Sequence, residues 1–214
     1  MTPYYQKTHQ KIFAQIKKAN YEKAFELATL SHKSLSPYFY ADLDYYSVMA
    51  DYGSILGGAK GRRLHRRGVV GLKSLMYRLR GVDPNIRNIA RNEYYFQTKQ
   101  YKAQYELGIN EFNRTHNLKA MYSCGVGAVW YANELLKKRQ KKRSVSWAKK
   151  SILCWQKYLK AFPDYYNPYV HYALALGLTG ELDKAKGALE MAQALSSKPR
   201  SFEEFQEIRL IIKI

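Results

Sequence analysis

Residues 167–195 read NPYVHYALALGLTGELDKAKGALEMAQAL, and this stretch predicts two short helices joined by a tight turn. Pro168 suits the first turn of a helix, because the N–H that proline lacks would have no partner there. Apolar residues in each half recur at the three- and four-residue spacing of one helix face: Tyr169, Tyr172, Ala173 and Leu176, and then Leu182, Ala185, Leu189 and Ala192. Gly177 and Gly180 separate the halves. Two helices of this length cannot bury both stripes alone, so neighbouring helices are expected.

The pair resembles a tetratricopeptide repeat (TPR), a unit of two helices that stacks into arrays. The resemblance rests on small residues where the helices cross, a glycine at the turn and a proline at the end of the unit: Ala173, Gly180, Ala185, Ala192 and Pro199. Tyr169 departs from the family's pattern, which has a tryptophan early in the first helix. The resemblance is clearest over 167–199 and implies a helical-repeat scaffold without a specific activity.

Weaker copies of this pattern occur over 10–37, 85–112 and 117–163. No segment has the alternating apolar pattern of a strand, and no interdomain linker is visible. We therefore expect one all-α TPR-like helical-repeat domain over 1–214. Its expected architecture is a right-handed α-solenoid of TPR-like antiparallel helix pairs, with about eight to ten helices.

Residues 201–214 are expected to form a last helix. Ser201 and Glu204 have the three-residue spacing of a capping box, which predicts that the helix starts there. The end of the helix is unusually apolar, with Leu210, Ile211, Ile212 and Ile214. This helix is therefore expected either to cap the open end of the array or to contact another chain, which would make the protein an oligomer.

The net charge of +19 is concentrated in two parts of the chain. Residues 52–82, which we call basic block 1, contain eight lysines and arginines and no acid. Residues 137–163, basic block 2, contain ten and no acid. Solvated helix faces usually alternate lysine with glutamate, because neighbouring like charges destabilise a helix. Two long acid-free blocks therefore indicate surfaces that face an anion, although solvated faces without a partner are the plainer alternative.

Candidate partner-binding residues lie in both blocks. Residues 38–56 are expected to form a helix, and glycines at 53, 57, 58 and 61 make a regular helix less favoured around them. In basic block 1, residues 62–80 are expected to form a cationic amphipathic helix. In basic block 2, residues 139–143 are expected to connect two helices, of which the second covers 145–162. The candidates are Arg62, Arg63, Arg66, Arg67, Lys73, Arg80, Lys137, Lys138, Arg139, Lys141, Lys142, Arg143, Lys149, Lys150, Lys157 and Lys160.

Three kinds of anionic partner compete. An acidic protein or peptide is favoured, since lysine and arginine can hold carboxylates on a TPR-like surface. Nucleic acid is the alternative, because aromatic residues lie within the blocks and bases stack on such rings. These residues are Tyr77, Trp147, Trp155 and Tyr158, although the apolar stripe predicts that Trp155 packs in the core. An anionic membrane surface, with 62–80 as an interfacial helix, is the least favoured.

Patterns of catalysis and metal binding are not recognisable in the sequence. None of the five histidines has a second histidine, a cysteine or an acid at metal-ligand spacing. The glycines of 53–61 do not form a phosphate-loop motif, because the Gly-Lys-Ser/Thr ending is missing. We therefore expect a non-enzymatic binding or scaffolding protein without a metal or a cofactor.

The two cysteines and the apolar runs bear on the compartment. Cys124 and Cys154 each lie in an apolar run and are expected to be buried thiols, while a disulfide between them is left open. The N-terminus lacks the apolar core of a signal peptide, and no apolar run is long enough to span a bilayer. A cytoplasmic protein is therefore expected.

Overall fold

The computed structural model describes residues 3–17, 20–79 and 84–195, and all regular structure in these ranges is helical. The helices are α1 (Pro3–Lys17), α2 (Tyr21–Leu35), α3 (Phe39–Leu56), α4 (Gly58–Arg78), α5 (Pro84–Gln97), α6 (Tyr101–Thr115), α7 (Ala120–Lys137), α8 (Lys141–Ala161), α9 (Tyr166–Thr179) and α10 (Leu182–Leu195). The all-α prediction is confirmed for these ranges. The predicted helix over 201–214 and the candidate Arg80 lie outside the described residues.

The chain divides by its internal contacts into two compact units, unit 1 (Met1–Lys99) and unit 2 (Gln100–Ile214), which we describe separately. Within each unit every helix packs on the next one. Alternate helices also touch: α3 contacts α1 and α5 in unit 1, and α7 contacts α9 in unit 2. Such contacts let helix pairs bury the apolar stripes that one pair leaves exposed. The predictions of a single domain and of a right-handed array stay predictions.

The pair predicted over 167–195 is confirmed as α9 and α10. Gly180 ends α9 in the left-handed region, with φ of 88°, a conformation that glycine adopts without strain. The two apolar stripes meet in one cluster of fully buried residues, which includes Ala173, Leu174, Leu176, Ala185, Leu189 and Ala192. The spacing of apolar residues therefore predicted both helices and most of their contact, but Leu182 of the second stripe is 42% exposed.

Helices α3 and α4 run antiparallel and very close together in unit 1. Only Gly57 separates them, and its φ of 62° again lies in the left-handed region. A Cβ atom at Gly68 would lie 2.6 Å from the carbonyl oxygen of Tyr46 and 2.7 Å from the amide nitrogen of Ala50. The backbones of the two helices are therefore in direct contact at this point.

The helix predicted over 38–56 is confirmed as α3, but the glycines that follow it weaken helix formation less than expected. Helix α3 continues to Leu56 and α4 begins at Gly58, four residues before the predicted helix. A Cβ atom at Gly61 would lie 2.5 Å from the carbonyl oxygen of Gly53. The glycines thus allow two helices to approach, and this packing outweighs the low helix propensity that the prediction relied on.

The start of α8 also differs from the prediction. The helix begins at Lys141 and not at position 145, so that most of the predicted connector 139–143 belongs to its first turn. The chain turns at Arg139, which has φ of 59°. Ser144 is already buried in the described structure, so contacts with the rest of unit 2 begin within that first turn.

A buried carboxylate ties three helices of unit 1 together. Asp42 on α3 is fully buried, and its Oδ2 accepts a hydrogen bond of 2.6 Å from Nη2 of Arg78 on α4. Its Oδ1 lies 2.8 Å from Nδ1 of His32 on α2. A buried charge needs such partners, because transfer of an unpaired ion from water into the interior is costly.

Candidate functional site

Basic block 2 forms an exposed face on and around α8. All ten of its lysine and arginine side chains are exposed. Lys149, Lys150, Lys157 and Lys160 lie within an arc of about 100° on this helix, as predicted from the helical spacing. Leu153, 60% exposed, lies in the middle of that arc. Leu153 does not stand out in the sequence, because an isolated apolar residue in a basic run carries no signal of its own.

The cations of this face have no acidic partners within the described part of the chain. None of the ten forms a salt bridge there. The carboxylate of Glu181 forms a salt bridge of 2.7 Å with Lys184, which is not part of this face. The positive charge of Lys149 also lowers the pKa of Glu181, but less than Lys184 does. The face therefore presents uncompensated positive charge to an approaching molecule.

Aromatic rings of unit 2 contact a lysine of this face. The ammonium group of Lys150 lies 4.1 Å from the ring centroid of Trp147 and 5.6 Å from that of Tyr105, both within reach of a cation–π interaction. Trp155 is fully buried, as the apolar stripe predicted. The indole of Trp147 also meets the ring of Tyr131 edge-on at 4.8 Å. The rings near α8 are thus engaged with the protein itself.

Basic block 1 forms a similar face on α4. Its nominated cations within the described residues are all exposed and form no salt bridge there: Arg62, Arg63, Arg66, Arg67 and Lys73. Val70, 60% exposed, lies among them. Arg78 belongs to the same block but binds Asp42, so its charge is compensated.

A cavity of about 300 Å³ lies beside this face, between α4 and α5. Its lining includes two arginines from α5, Arg87 and Arg91, together with Met76, Tyr77 and Tyr95. Nη2 of Arg91 donates a hydrogen bond of 3.3 Å to the hydroxyl of Tyr95. Neither arginine stands out in the sequence, because both lie outside the acid-free blocks, in a stretch whose acids nearly balance its cations. The cavity extends the positive surface of unit 1.

Two carboxyl groups meet between α3 and α5. Nε2 of Gln97 donates to Oδ1 of Asp51 at 2.6 Å and to Oε1 of Glu93 at 3.0 Å. Burial and the neighbouring Glu93 carboxylate raise the pKa of Asp51 to about 7, and burial raises the pKa of Glu93. Such a pair retains a proton well above the ordinary range of carboxylic acids. No pattern in the sequence indicated this pair, because the two acids are far apart in the chain.

Cys124 on α7 and Cys154 on α8 are free thiols in the core of unit 2. They lie next to each other, and a contact with the Cys154 sulfur together with burial raises the pKa of Cys124. The expectation of buried thiols is confirmed. No group of three or more histidine, cysteine or acidic residues suited to a metal ion occurs in the ranges that the structure describes.

Comparisons with known proteins give no family for this chain. No protein-family model matches it, and no curated protein matches its sequence. A solved structure titled "MamA RS-1 ArsTM double mutant" is similar with a TM-score of 0.45 and 13% sequence identity, over 91% of this chain and 96% of that one. A similarity of this degree does not assign a function. Among the helices of the described ranges, none is long and apolar enough to cross a membrane.

Proposed function

We propose that this protein is a non-enzymatic scaffold whose TPR-like helix pairs present basic faces to an acidic segment of a protein partner. The observation that supports the proposal is the pair of exposed faces on α4 and α8, whose nominated cations form no salt bridge with any described residue. Both faces lie on helices, and the packing of α3 on α4 and of α7 on α8 holds each face in place. The contacts between consecutive and alternate helices support the TPR-like part of the proposal.

Charge relief provides the driving force for binding. Neighbouring lysines and arginines on one face repel each other, and salt or a carboxylate partner reduces that repulsion. A segment with several glutamates or aspartates would form charge-assisted hydrogen bonds with these side chains. Its association would be accelerated by the positive field and would weaken as salt is added.

Nucleic acid is the second candidate, and the aromatic residues of α8 argue against it on that face. Single-stranded nucleic acid is usually held by rings on which bases stack. Trp155 is fully buried, and the ring of Trp147 already contacts Lys150 and Tyr131. Tyr77 on α4 is 50% exposed, but each face also exposes an aliphatic side chain, Val70 on α4 and Leu153 on α8. These side chains favour a protein partner.

Charge reversal on α8 tests the proposal. The variant Lys149→Glu, Lys150→Glu, Lys157→Glu, Lys160→Glu is titrated with a fluorescent glutamate-rich peptide, single-stranded RNA and vesicles containing an anionic lipid. We expect the peptide to bind the unchanged protein, and we expect the reversal to weaken binding at the α8 face at least about tenfold while the α4 face still binds. Preferential binding of RNA or vesicles by the unchanged protein would contradict the proposal.

The matched control changes the same number of exposed lysines elsewhere in the chain: Lys11→Glu, Lys33→Glu, Lys119→Glu and Lys186→Glu. It has the same net charge as the α8 variant. If the peptide loses equal affinity for both variants, its binding depends on total charge and not on the α8 face.

A further inference from the structure

Helices α4 and α8 correspond to each other residue by residue. Both contain 21 residues, and adding 83 to each number in α4 gives the matching residue in α8. In this register the buried sides agree: Gly61 matches Ser144, Gly68 matches Ser151, Gly71 matches Cys154 and Leu72 matches Trp155, and all eight residues are buried. The two helices therefore turn the same positions toward the helices on which they pack.

The helices on which they pack correspond as well. Adding 79 to the number of each buried residue of α3 gives a buried residue of α7. Ala41, Asp42, Val48, Met49, Ala50 and Gly53 match Ala120, Met121, Gly127, Ala128, Val129 and Ala132, and all twelve are buried. The register changes by four residues between the two helices of the pair, because α7 extends two residues further than the match to α3 and the connection after it is two residues longer than the single Gly57.

The contact between the helices is also equivalent in the two units. In unit 1, Gly68 lies directly against the carbonyl of Tyr46. In unit 2 the matching residues are Ser151 and Gly125, and the serine hydroxyl donates a hydrogen bond of 2.8 Å to that carbonyl. The pairs α3–α4 and α7–α8 thus share one packing arrangement, although few residue identities are shared.

Large and small residues have exchanged sides at this contact. In unit 1 the ring of Tyr46 on α3 fills the space beside Gly71 on α4. In unit 2 the glycine is on the first helix, at position 125, and the ring of Trp155 on α8 fills the space beside it. Such an exchange keeps the filled volume similar, and packed cores tolerate changes of this kind best.

The exposed sides repeat one arrangement. Val70 on α4 and Leu153 on α8 occupy matching positions, and each is 60% exposed. Each follows an exposed pair of cations by one helical turn, Arg66–Arg67 on α4 and Lys149–Lys150 on α8. Residues three and four positions apart on a helix are neighbours on its surface. Each face therefore places an aliphatic side chain next to two positive charges.

We infer that α4 and α8 carry two equivalent docking sites, each for an acidic segment with one large apolar side chain. This inference rests on the proposed function and specifies its partner. The carboxylates of the segment pair with the two cations, while its apolar side chain covers Val70 or Leu153. An apolar anchor surrounded by polar contacts is the usual arrangement where a small surface carries most of the binding energy. A phosphate backbone offers nothing to cover an aliphatic side chain, so the charge and the apolar centre together favour a protein segment.

The probe is a synthetic peptide with one leucine flanked by glutamates and with blocked ends, titrated by calorimetry. We expect the unchanged protein to bind two peptides per chain. The variant Arg66→Glu, Arg67→Glu, Val70→Ser is expected to bind one, and so is the variant Lys149→Glu, Lys150→Glu, Leu153→Ser. A peptide with serine in place of leucine has the same charge and should bind about tenfold more weakly.

A matched control changes an exposed leucine and two exposed lysines elsewhere, as Leu30→Ser, Lys11→Glu, Lys33→Glu. This control should still bind two peptides. Binding of one peptide per chain, or loss of all binding in either face variant, would overturn the equivalence of the sites but leave the proposed function intact. Equal affinity for the leucine and serine peptides would overturn the inference that an apolar side chain of the segment covers Val70 or Leu153. Binding of RNA but of neither peptide would overturn the proposed function itself.

Discussion

The hydroxyl of Ser151 donates a buried hydrogen bond of 2.8 Å to the carbonyl oxygen of Gly125, which joins α8 to α7. At the matching place in unit 1, Gly68 lies against the carbonyl oxygen of Tyr46, and a Cβ atom there would be only 2.6 Å from it. One helix contact is thus bridged by a side chain, and the other is a direct contact between backbones. The second has no room for even a methyl group.

Replacement of Gly68 by alanine is therefore expected to destabilise the protein by about 2 kcal/mol, because α3 and α4 must separate to admit the new methyl group. The measurement is urea unfolding followed by circular dichroism. Gly187 is the matched control: it lies within α10, and a Cβ atom there would meet nothing within 4 Å. Gly187→Ala should stabilise the protein by up to about 1 kcal/mol through helix propensity. Equal effects at the two sites would contradict this account of the packing.

Removal of the buried carboxylate in unit 1 should also be destabilising. Asp42→Ala leaves Arg78 and His32 without the acceptor that they share, and we expect a loss of about 2 kcal/mol in the free energy of unfolding. The loss is smaller than for a fully buried ion pair, since the Arg78 side chain is 46% exposed and can return to water. Glu190→Ala, at an exposed position of α10, is the control and should change stability little. An unchanged unfolding midpoint for Asp42→Ala would show that the carboxylate does not hold the three helices together.

The raised pKa of Asp51 predicts a pH dependence of stability. The folded state holds the proton of Asp51 up to about pH 7, whereas an ordinary aspartate releases it near 3.8. The unfolded state therefore binds fewer protons between these values, and stability contributed by this group falls as the pH rises through that window. Asp51→Asn keeps an acceptor for Gln97 and removes the charge. Its melting temperature should exceed that of the unchanged protein above pH 7 and match it near pH 4. A constant difference at every pH would contradict the raised pKa.

The sequence predicted the parts of the fold where local signals agree. In α9 and α10, an early proline, two apolar stripes and Gly180 at the turn all indicate the same pair of helices, and the structure confirms it. In α4 the local signal opposed the outcome. Glycines are poor helix formers, and only the contact with α3 explains why Gly58 and Gly61 are helical.

The candidate surfaces could be predicted only where lysines and arginines follow one another in the sequence with no acid between them. The acid-free blocks identified the exposed cations of α4 and α8, but Arg87 and Arg91 join the surface of unit 1 through folding alone. The equivalence of α4 and α8 was not visible in the sequence, because glycines match serines and leucine matches tryptophan. Burial, and not identity, is what the two helices share.

Carbodiimide cross-linking of the acidic leucine peptide to the protein tests the central claim most directly. This reagent joins a carboxylate to a lysine amine in contact with it, so mass spectrometry of the products locates the peptide. We expect links at Lys149, Lys150 and Lys157 on α8 and at Lys73 on α4, all of them suppressed by an excess of unlabelled peptide. Links spread evenly over the exposed Lys7, Lys11, Lys33 and Lys186, with none enriched on α4 or α8, would contradict the account.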